Sequence, residues 1–130
     1  QKYDLPLAPV VFEVDAAALQ QRDVPAYVEL SKFPAVTRDL ALVVKQAVQV
    51  QELRDIFAAE QQGNPVCGII QAFVLFDEYQ GKGLENDEKS LAFRFTLQDT
   101  QNTLQDDTVD AAMAAIVAAA TGKLAARLRA

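Results

Sequence analysis

The sequence has 130 residues, 51% hydrophobic and 23% charged, which is typical of one ordered globular domain with a modest extension. It contains no histidine, which excludes Ser-His and Cys-His nucleophile pairs and histidine-ligated metals, and its single cysteine excludes an internal disulfide. The formal net charge of −6 argues against a protein that grips nucleic acid mainly through phosphates, because such binding needs a basic excess.

The first 30 residues are predicted to form an extension that precedes the domain. Prolines punctuate it and leave space for one short strand, Val10–Val14, and one turn of helix near Ala16–Gln20. The strand resembles an edge piece of another unit. The chain opens on Gln1 rather than on Met, which indicates a fragment or a processed chain. No apolar stretch approaches the roughly 20 residues that a membrane span needs.

Residues 31–130 are predicted to form the domain itself. Over Arg38–Lys45, large apolar residues at every second position predict a strand: Leu40, Leu42 and Val44 alternate with Asp39, Ala41, Val43 and Lys45. Helical spacing of apolar residues over Val48–Gln62 predicts a helix, which should end at Gly63-Asn64-Pro65. The mostly apolar run Val66–Tyr79 predicts a long strand.

The second half of the domain repeats this order. A glycine-containing loop, Gln80–Asp87, precedes the clearest strand, Lys89–Gln98. A helix is predicted to begin at Asp106, whose carboxylate complements the helix dipole, and to end near Gly122. The last stretch, Leu124–Arg129, fits a strand or a continuing helix. With the strand, the order is βαββαβ: an α+β, ferredoxin-like fold in which two helices cover one face of a four-stranded antiparallel sheet.

Three motifs in this order are similar to one known family. They are Ser31–Ala41, Leu75–Gly81, and Lys89–Phe93 followed by Thr103-Leu104. The chain resembles the ferredoxin-fold anticodon-binding domain at the C-terminal end of bacterial phenylalanyl-tRNA synthetase beta chains. Residues Val10–Leu30 are similar to the last strand and linker that precede this domain in the family.

The resemblance implies a part of a cytoplasmic, class II ligase that joins phenylalanine to its tRNA. The family uses ATP and magnesium, assembles as α₂β₂ and has its active site on the alpha chain. This chain would therefore hold no catalytic residue, metal or cofactor. Its partners would be the anticodon stem-loop of tRNA-Phe, the alpha subunit and the rest of the beta chain, with no membrane.

Strand alternation predicts which side chains share the open face of the sheet. On the strand ending at residue 79 they are Gln71, Phe73, Leu75, Asp77 and Tyr79. The neighbouring strand should add Ser90, Ala92 and Arg94. In the family, the positions matching Asp77, Tyr79 and Ser90 bind the first anticodon base, a guanine. The Tyr ring would stack on the base, and the carboxylate would accept hydrogen bonds from its N1–H and amino group.

Each of these assignments has a structural alternative. Tyr79 could pack on a neighbour, and Asp77 could cap a turn or pair with Lys89. Five basic residues could contact phosphates or remain solvated charges: Lys32, Arg38, Lys82, Lys89 and Arg94. A second hypothesis is an interaction module whose open sheet packs on another subunit through Phe73 and Leu75. A large exposed apolar patch would favour that hypothesis, whereas a polar face centred on Asp77 and Tyr79 would favour RNA.

Overall fold

The computed structural model describes residues 9–20, 22–27 and 31–129. In chain order the elements are α1 (Ala16–Gln20), β1 (Val36–Lys45), α2 (Val50–Gly63), a 3₁₀ helix (Pro65–Ile69), β2 (Ile70–Tyr79), β3 (Glu88–Leu97), α3 (Asp106–Leu124) and β4 (Arg127–Leu128). The sheet order is β2-β3-β1-β4, and each neighbouring pair is antiparallel. The predicted ferredoxin-like βαββαβ fold is confirmed.

The hydrophobic core lies between one face of the sheet and the helices α2 and α3. Phe57 of α2 is fully buried at its centre, with its ring edge-on to Phe93 at 5.1 Å, Phe95 at 5.2 Å and Phe73 at 5.5 Å between ring centroids. Such edge-to-face pairs add to the stabilisation from burial alone. The alternation of β3 is confirmed, because Leu91, Phe93, Phe95 and Leu97 are all buried on this side.

Strand β2 begins four residues later than the sequence predicts. The Asn64 side chain accepts a hydrogen bond from the Val66 amide at 3.2 Å, and Pro65 stands at the first helical position. Both features favour a helical turn. The resulting 3₁₀ helix buries Cys67 completely, and the prediction of a strand from Val66 is therefore wrong over Val66–Ile69.

The C-terminal stretch contains the end of a helix and a strand. Helix α3 continues through Gly122 to Leu124, and Ala125 then adopts a left-handed conformation with φ of 51°. Its amide donates to the carbonyls of Ala120 and Thr121, which ends the helix. Residues Arg127–Leu128 can then pair with β1 as an edge strand.

The extension differs from its prediction in one respect. Helix α1 forms over Ala16–Gln20, as predicted, but Val10–Val14 is irregular rather than a strand. Within the described ranges this segment has no strand partner, and Val10, Val11 and Phe12 are at least 81% exposed. A strand needs such a partner to satisfy its backbone hydrogen bonds.

Candidate nucleic-acid interface

A bulge in β2 decides which side chains reach the open face. Phe73 lies opposite Phe95 and Leu75 opposite Phe93, so both belong to the helix-covered face. The register then shifts between Leu75 and Asp77. The prediction that Phe73 and Leu75 lie on the open face is wrong, because the bulge inserts an extra residue and breaks the alternation. The interaction-module hypothesis thus loses its two named contacts.

The same bulge returns Asp77 and Tyr79 to the open face. Tyr79 pairs directly with Ser90, and Asp77 pairs with Ala92, two residues along the neighbouring strand. Since directly opposed residues point to the same side, all three predicted site residues share one end of this face. Within the part of the chain that the structure describes, both long helices lie on the opposite side of the sheet.

Ser90 lies in the floor of the site. It is only 3% exposed, and its neighbour across the sheet, Val43, is 1% exposed. Ser90 and Val43 lie side by side across β3 and β1. Tyr79 pairs with Ser90 on one side of them, and Arg127 pairs with Val43 on the other. Ser90 is therefore almost closed to solvent, whereas the Asp77 side chain is exposed.

The Tyr79 ring is held in place by its surroundings. Its hydroxyl donates to the Lys82 carbonyl at 3.2 Å in the β2–β3 loop. A Cβ atom added at Gly81 would lie 3.1 Å from that hydroxyl, and Gly81 has φ of +145°. Glycine at this position therefore meets both a steric and a conformational need.

One face of the Tyr79 ring carries a cation that the sequence analysis did not assign to the site. The Cζ atom of Arg129 lies 4.3 Å from the ring centroid. The Arg129 amide donates to Ala41 beyond β4, so its side chain crosses above β1 and β3. The sequence signal was the alternation of Arg127 and Arg129 with apolar residues, which predicts both on the open face once a strand is chosen.

One acidic side chain, Glu88, holds β4 and so positions Arg129. The Glu88 carboxylate accepts a hydrogen bond from Arg127 at 2.7 Å, and Lys45 lies 3.9 Å away. The bond from Arg127, followed by a backbone amide bond within the loop, holds the pKa of Glu88 below its usual value. Strand β4 is therefore held in two ways: by its short hydrogen-bonded ladder with β1 and by the ion pair between Arg127 and Glu88 of β3.

Arg94 is the only one of the five predicted phosphate-binding residues that lies within the open face. Its Nε and Nη2 atoms donate to the two carboxylate oxygens of Asp39 at 2.8 and 2.7 Å. These bonds lower the pKa of Asp39 and raise that of Arg94. The Arg94 guanidinium also lies over the ring of Phe76, 5.1 Å from its centroid.

The structure does not bring the other four basic residues together. Arg38 is on the helix side, opposite Phe95, with Nη2 3.3 Å from Asp106. Lys89, opposite the buried Val44, lies 4.0 Å from Glu78, so the alternative pairing with Asp77 is not formed. The exposed Lys82 lies in the loop beside Tyr79, and the exposed Lys32 precedes β1 near the opposite end of the sheet.

Neither a cluster of side chains that could hold a metal ion nor a helix that could span a membrane is found among the described residues. No group of three or more His, Cys, Asp or Glu side chains in the described part of the chain converges to hold a metal ion. None of the helices described is both long and apolar enough to cross a bilayer.

Open four-stranded sheets that present aromatic side chains are one of the common architectures for binding single-stranded nucleic acid. Residues 31–129 match the model of the ferredoxin-fold anticodon binding domain, and the chain belongs to that family. The match begins at residue 31, where the regular part of the sequence starts.

Three similar proteins share one name. The chain is 53% identical over 130 residues to the phenylalanine–tRNA ligase beta subunit of Dechloromonas aromatica, covering 100% of the chain and 16% of the relative. It is 52% identical over 134 residues to that of Ralstonia nicotianae, covering 100% and 17%. For Cupriavidus pinatubonensis the identity is 51% over 136 residues, covering 99% and 16%. The chain thus spans about a sixth of the length of these relatives.

Proposed function

We propose that this chain binds the anticodon stem-loop of tRNA-Phe on the open face of its sheet. The observation that carries the proposal is the direct pairing of Tyr79 with Ser90, with Asp77 exposed beside them on the side away from the helices. The choice of tRNA-Phe as the RNA comes from the relatives, which are named phenylalanine–tRNA ligase beta subunit.

The three side chains have different chemical roles in this proposal. The Tyr79 ring stacks on an unpaired base, which is worth about 1–3 kcal/mol per base. The Asp77 carboxylate accepts hydrogen bonds from the N1–H and amino group of guanine. Adenine presents a lone pair at N1, so the same carboxylate repels it. Ser90 contributes a hydroxyl from the floor.

Phosphate contacts supplement the base contacts. Lys82 is exposed in the loop beside Tyr79 and is the best placed of the predicted basic residues to meet the backbone of a base stacked there. Because the net charge is −6, the chain alone should bind weakly, with Kd no better than about 10⁻⁴ M at physiological salt. Most of the tRNA affinity would come from the rest of the ligase.

The wider assembly is part of the same proposal. The ligase would be an α₂β₂ enzyme of the cytoplasm that aminoacylates tRNA on its alpha subunit with ATP and magnesium. In this arrangement the chain contributes RNA binding and no catalytic residue. Residues 1–30 would link the domain to a preceding module of the beta chain, where Val10–Val14 would find its strand partner.

Titration of the chain with the anticodon stem-loop, followed by amide and side-chain NMR shifts, tests the proposal. Shifts should concentrate on Asp77, Tyr79 and Ser90. The matched control is the same stem-loop with adenine in place of the first anticodon guanine, which should lose most of the Asp77 shift. Shifts spread over α2 and α3, or equal responses to both stem-loops, would contradict the proposed site.

A further inference from the structure

The open face has an apolar surface that the proposed site does not use. Val74 and Phe76, both in the edge strand β2, are 59% and 51% exposed. Val74 lies opposite Arg94 on the open face, and Phe76 occupies the bulge between Leu75 and Asp77. The bulge therefore places an aromatic ring beside the proposed guanine-binding carboxylate.

Three strands combine to hold this ring under a planar cation. Phe76 comes from β2, and Arg94 comes from β3 with its guanidinium 5.1 Å from the ring centroid. Asp39 of β1 holds that guanidinium through two hydrogen bonds of 2.8 and 2.7 Å. A bidentate pair of this kind fixes the plane of the guanidinium as well as its position. The result is a preorganised flat surface of ring and guanidinium.

The arrangement repeats what is seen at Tyr79, where the guanidinium of Arg129 lies 4.3 Å from the ring centroid. The two rings are three residues apart on β2, roughly 10 Å at about 3.3 Å per residue. Four-stranded RNA-binding sheets commonly stack two or three successive bases on aromatic side chains and arginine planes of one face.

We propose that Phe76 and Arg94 form a second base-binding position, which holds an unpaired nucleotide next to the one on Tyr79. The inference rests on the proposed function and extends it. Phe76 has no polar atom, and both Asp39 carboxylate oxygens are engaged by Arg94. This position therefore binds a base mainly by stacking, whereas the Asp77 position selects guanine.

The surrounding charges argue against a protein interface centred on this surface. The apolar surface consists of Val74 and Phe76 and is bordered by Asp39, Asp77 and Arg94, all of them exposed. The centre of a protein interface is depleted in charged residues, because burying them carries a desolvation cost. A nucleobase can cover the ring and guanidinium and leave the carboxylates in water.

The test measures equilibrium binding of anticodon stem-loops to the complete ligase that carries this chain. Phe76→Ala should weaken binding by about 5- to 140-fold, which corresponds to 1–3 kcal/mol at 1.4 kcal/mol per tenfold. Phe76→Tyr should restore most of the affinity, since it keeps the ring. Val66→Ala is the matched control, because Val66 is 44% exposed but lies in the 3₁₀ helix, outside the open face.

Stem-loops with one abasic nucleotide at each loop position identify the base. The loss caused by Phe76→Ala should disappear when the base it stacks is already absent and persist for the other abasic positions. Replacing that base by any of the other three should change binding less than twofold.

The outcomes separate this inference from the function on which it rests. If Tyr79→Ala weakens binding and Phe76→Ala does not, the second position is wrong and the proposed function stands. If neither variant weakens binding, both proposals fail. If Phe76→Ala instead dissociates the subunits in light scattering, the surface is a protein interface and the inference is overturned.

Discussion

The two faces of the sheet differ sharply although the same strands supply both. On β3, Phe93 and Phe95 are fully buried under α2, while Arg94 between them is exposed and bonded to Asp39. One face is mostly apolar and is covered by helices, and the other carries two aromatic rings with a guanidinium over each. Because successive side chains of a strand point to opposite faces, a residue that stabilises the core lies next to one that is free to contact a ligand. Substitutions on the two faces should therefore have separable effects.

The largest effect is expected on the covered face. Phe57→Ala removes the ring that contacts three other aromatic rings and should lower the free energy of unfolding by about 3–5 kcal/mol. Urea denaturation measures this, with Val66→Ala as a surface control expected within about 0.5 kcal/mol of the parent chain. Stem-loop affinity of the folded fraction should not change. A parallel loss of affinity would mean that the two faces are coupled.

The complementary change is on the open face. Tyr79→Ala in the complete ligase should raise KM for tRNA-Phe about 5- to 140-fold, because a base loses 1–3 kcal/mol of stacking. Phenylalanine activation, measured by ATP–pyrophosphate exchange, should remain normal. Tyr79→Phe keeps the ring, loses only the hydrogen bond to Lys82, and should have a small effect. Unchanged aminoacylation kinetics in Tyr79→Ala would remove Tyr79 from the site.

A smaller effect on stability and binding is expected from a substitution in the β2–β3 loop, where Gly81 lies close to the Tyr79 ring. Gly81→Ala forces a side chain into φ of +145° and places its Cβ 3.1 Å from the Tyr79 hydroxyl. It should destabilise the domain by more than about 1 kcal/mol and weaken stem-loop binding. Gly63→Ala is the matched control, because its Cβ meets nothing within 4 Å at the end of α2. Equal thermal midpoints of the two variants would show that the loop tolerates rearrangement.

The smallest effect concerns the exposed ion pair on the open face. Since Arg94 lowers the folded-state pKa of Asp39, the pair stabilises the domain above the unfolded-state pKa of about 3.9. This contribution is lost as the pH falls through the lower folded-state pKa. Thermal midpoints of the parent chain and Asp39→Asn should therefore differ at pH 6 and converge towards pH 2. High salt should also reduce the difference, and a difference that persists at pH 2 would exclude this pair as its source.

Prediction from the sequence succeeded where one local pattern acted alone. The alternation of Leu91, Phe93 and Phe95 and the helix start at Asp106 needed no information from distant residues. The prediction was wrong along β2, where alternation placed Phe73 and Leu75 on the open face. A continuous apolar run carries no signal for a bulge, because the inserted residue is defined only against the partner strand.

The site was predictable in part. Strand alternation placed Asp77, Tyr79 and Ser90 on one face, which the strand pairing confirms. The same alternation wrongly placed Phe73 and Leu75 with them, because it did not include the bulge at Phe76. Arg129 and Phe76 were missed. Arg129 reaches the site from three strands away, and Phe76 faces outward only because of the bulge.

The sequence by itself determined the order of helices and strands, the identity of the core on β3 and the family of the domain, since these depend on residues close together along the chain. Only the tertiary structure decided the face of Phe76, the burial of Ser90 and the positions of the two guanidiniums. Each of these depends on strand register between distant segments, and a shift of one residue reverses the direction of every side chain.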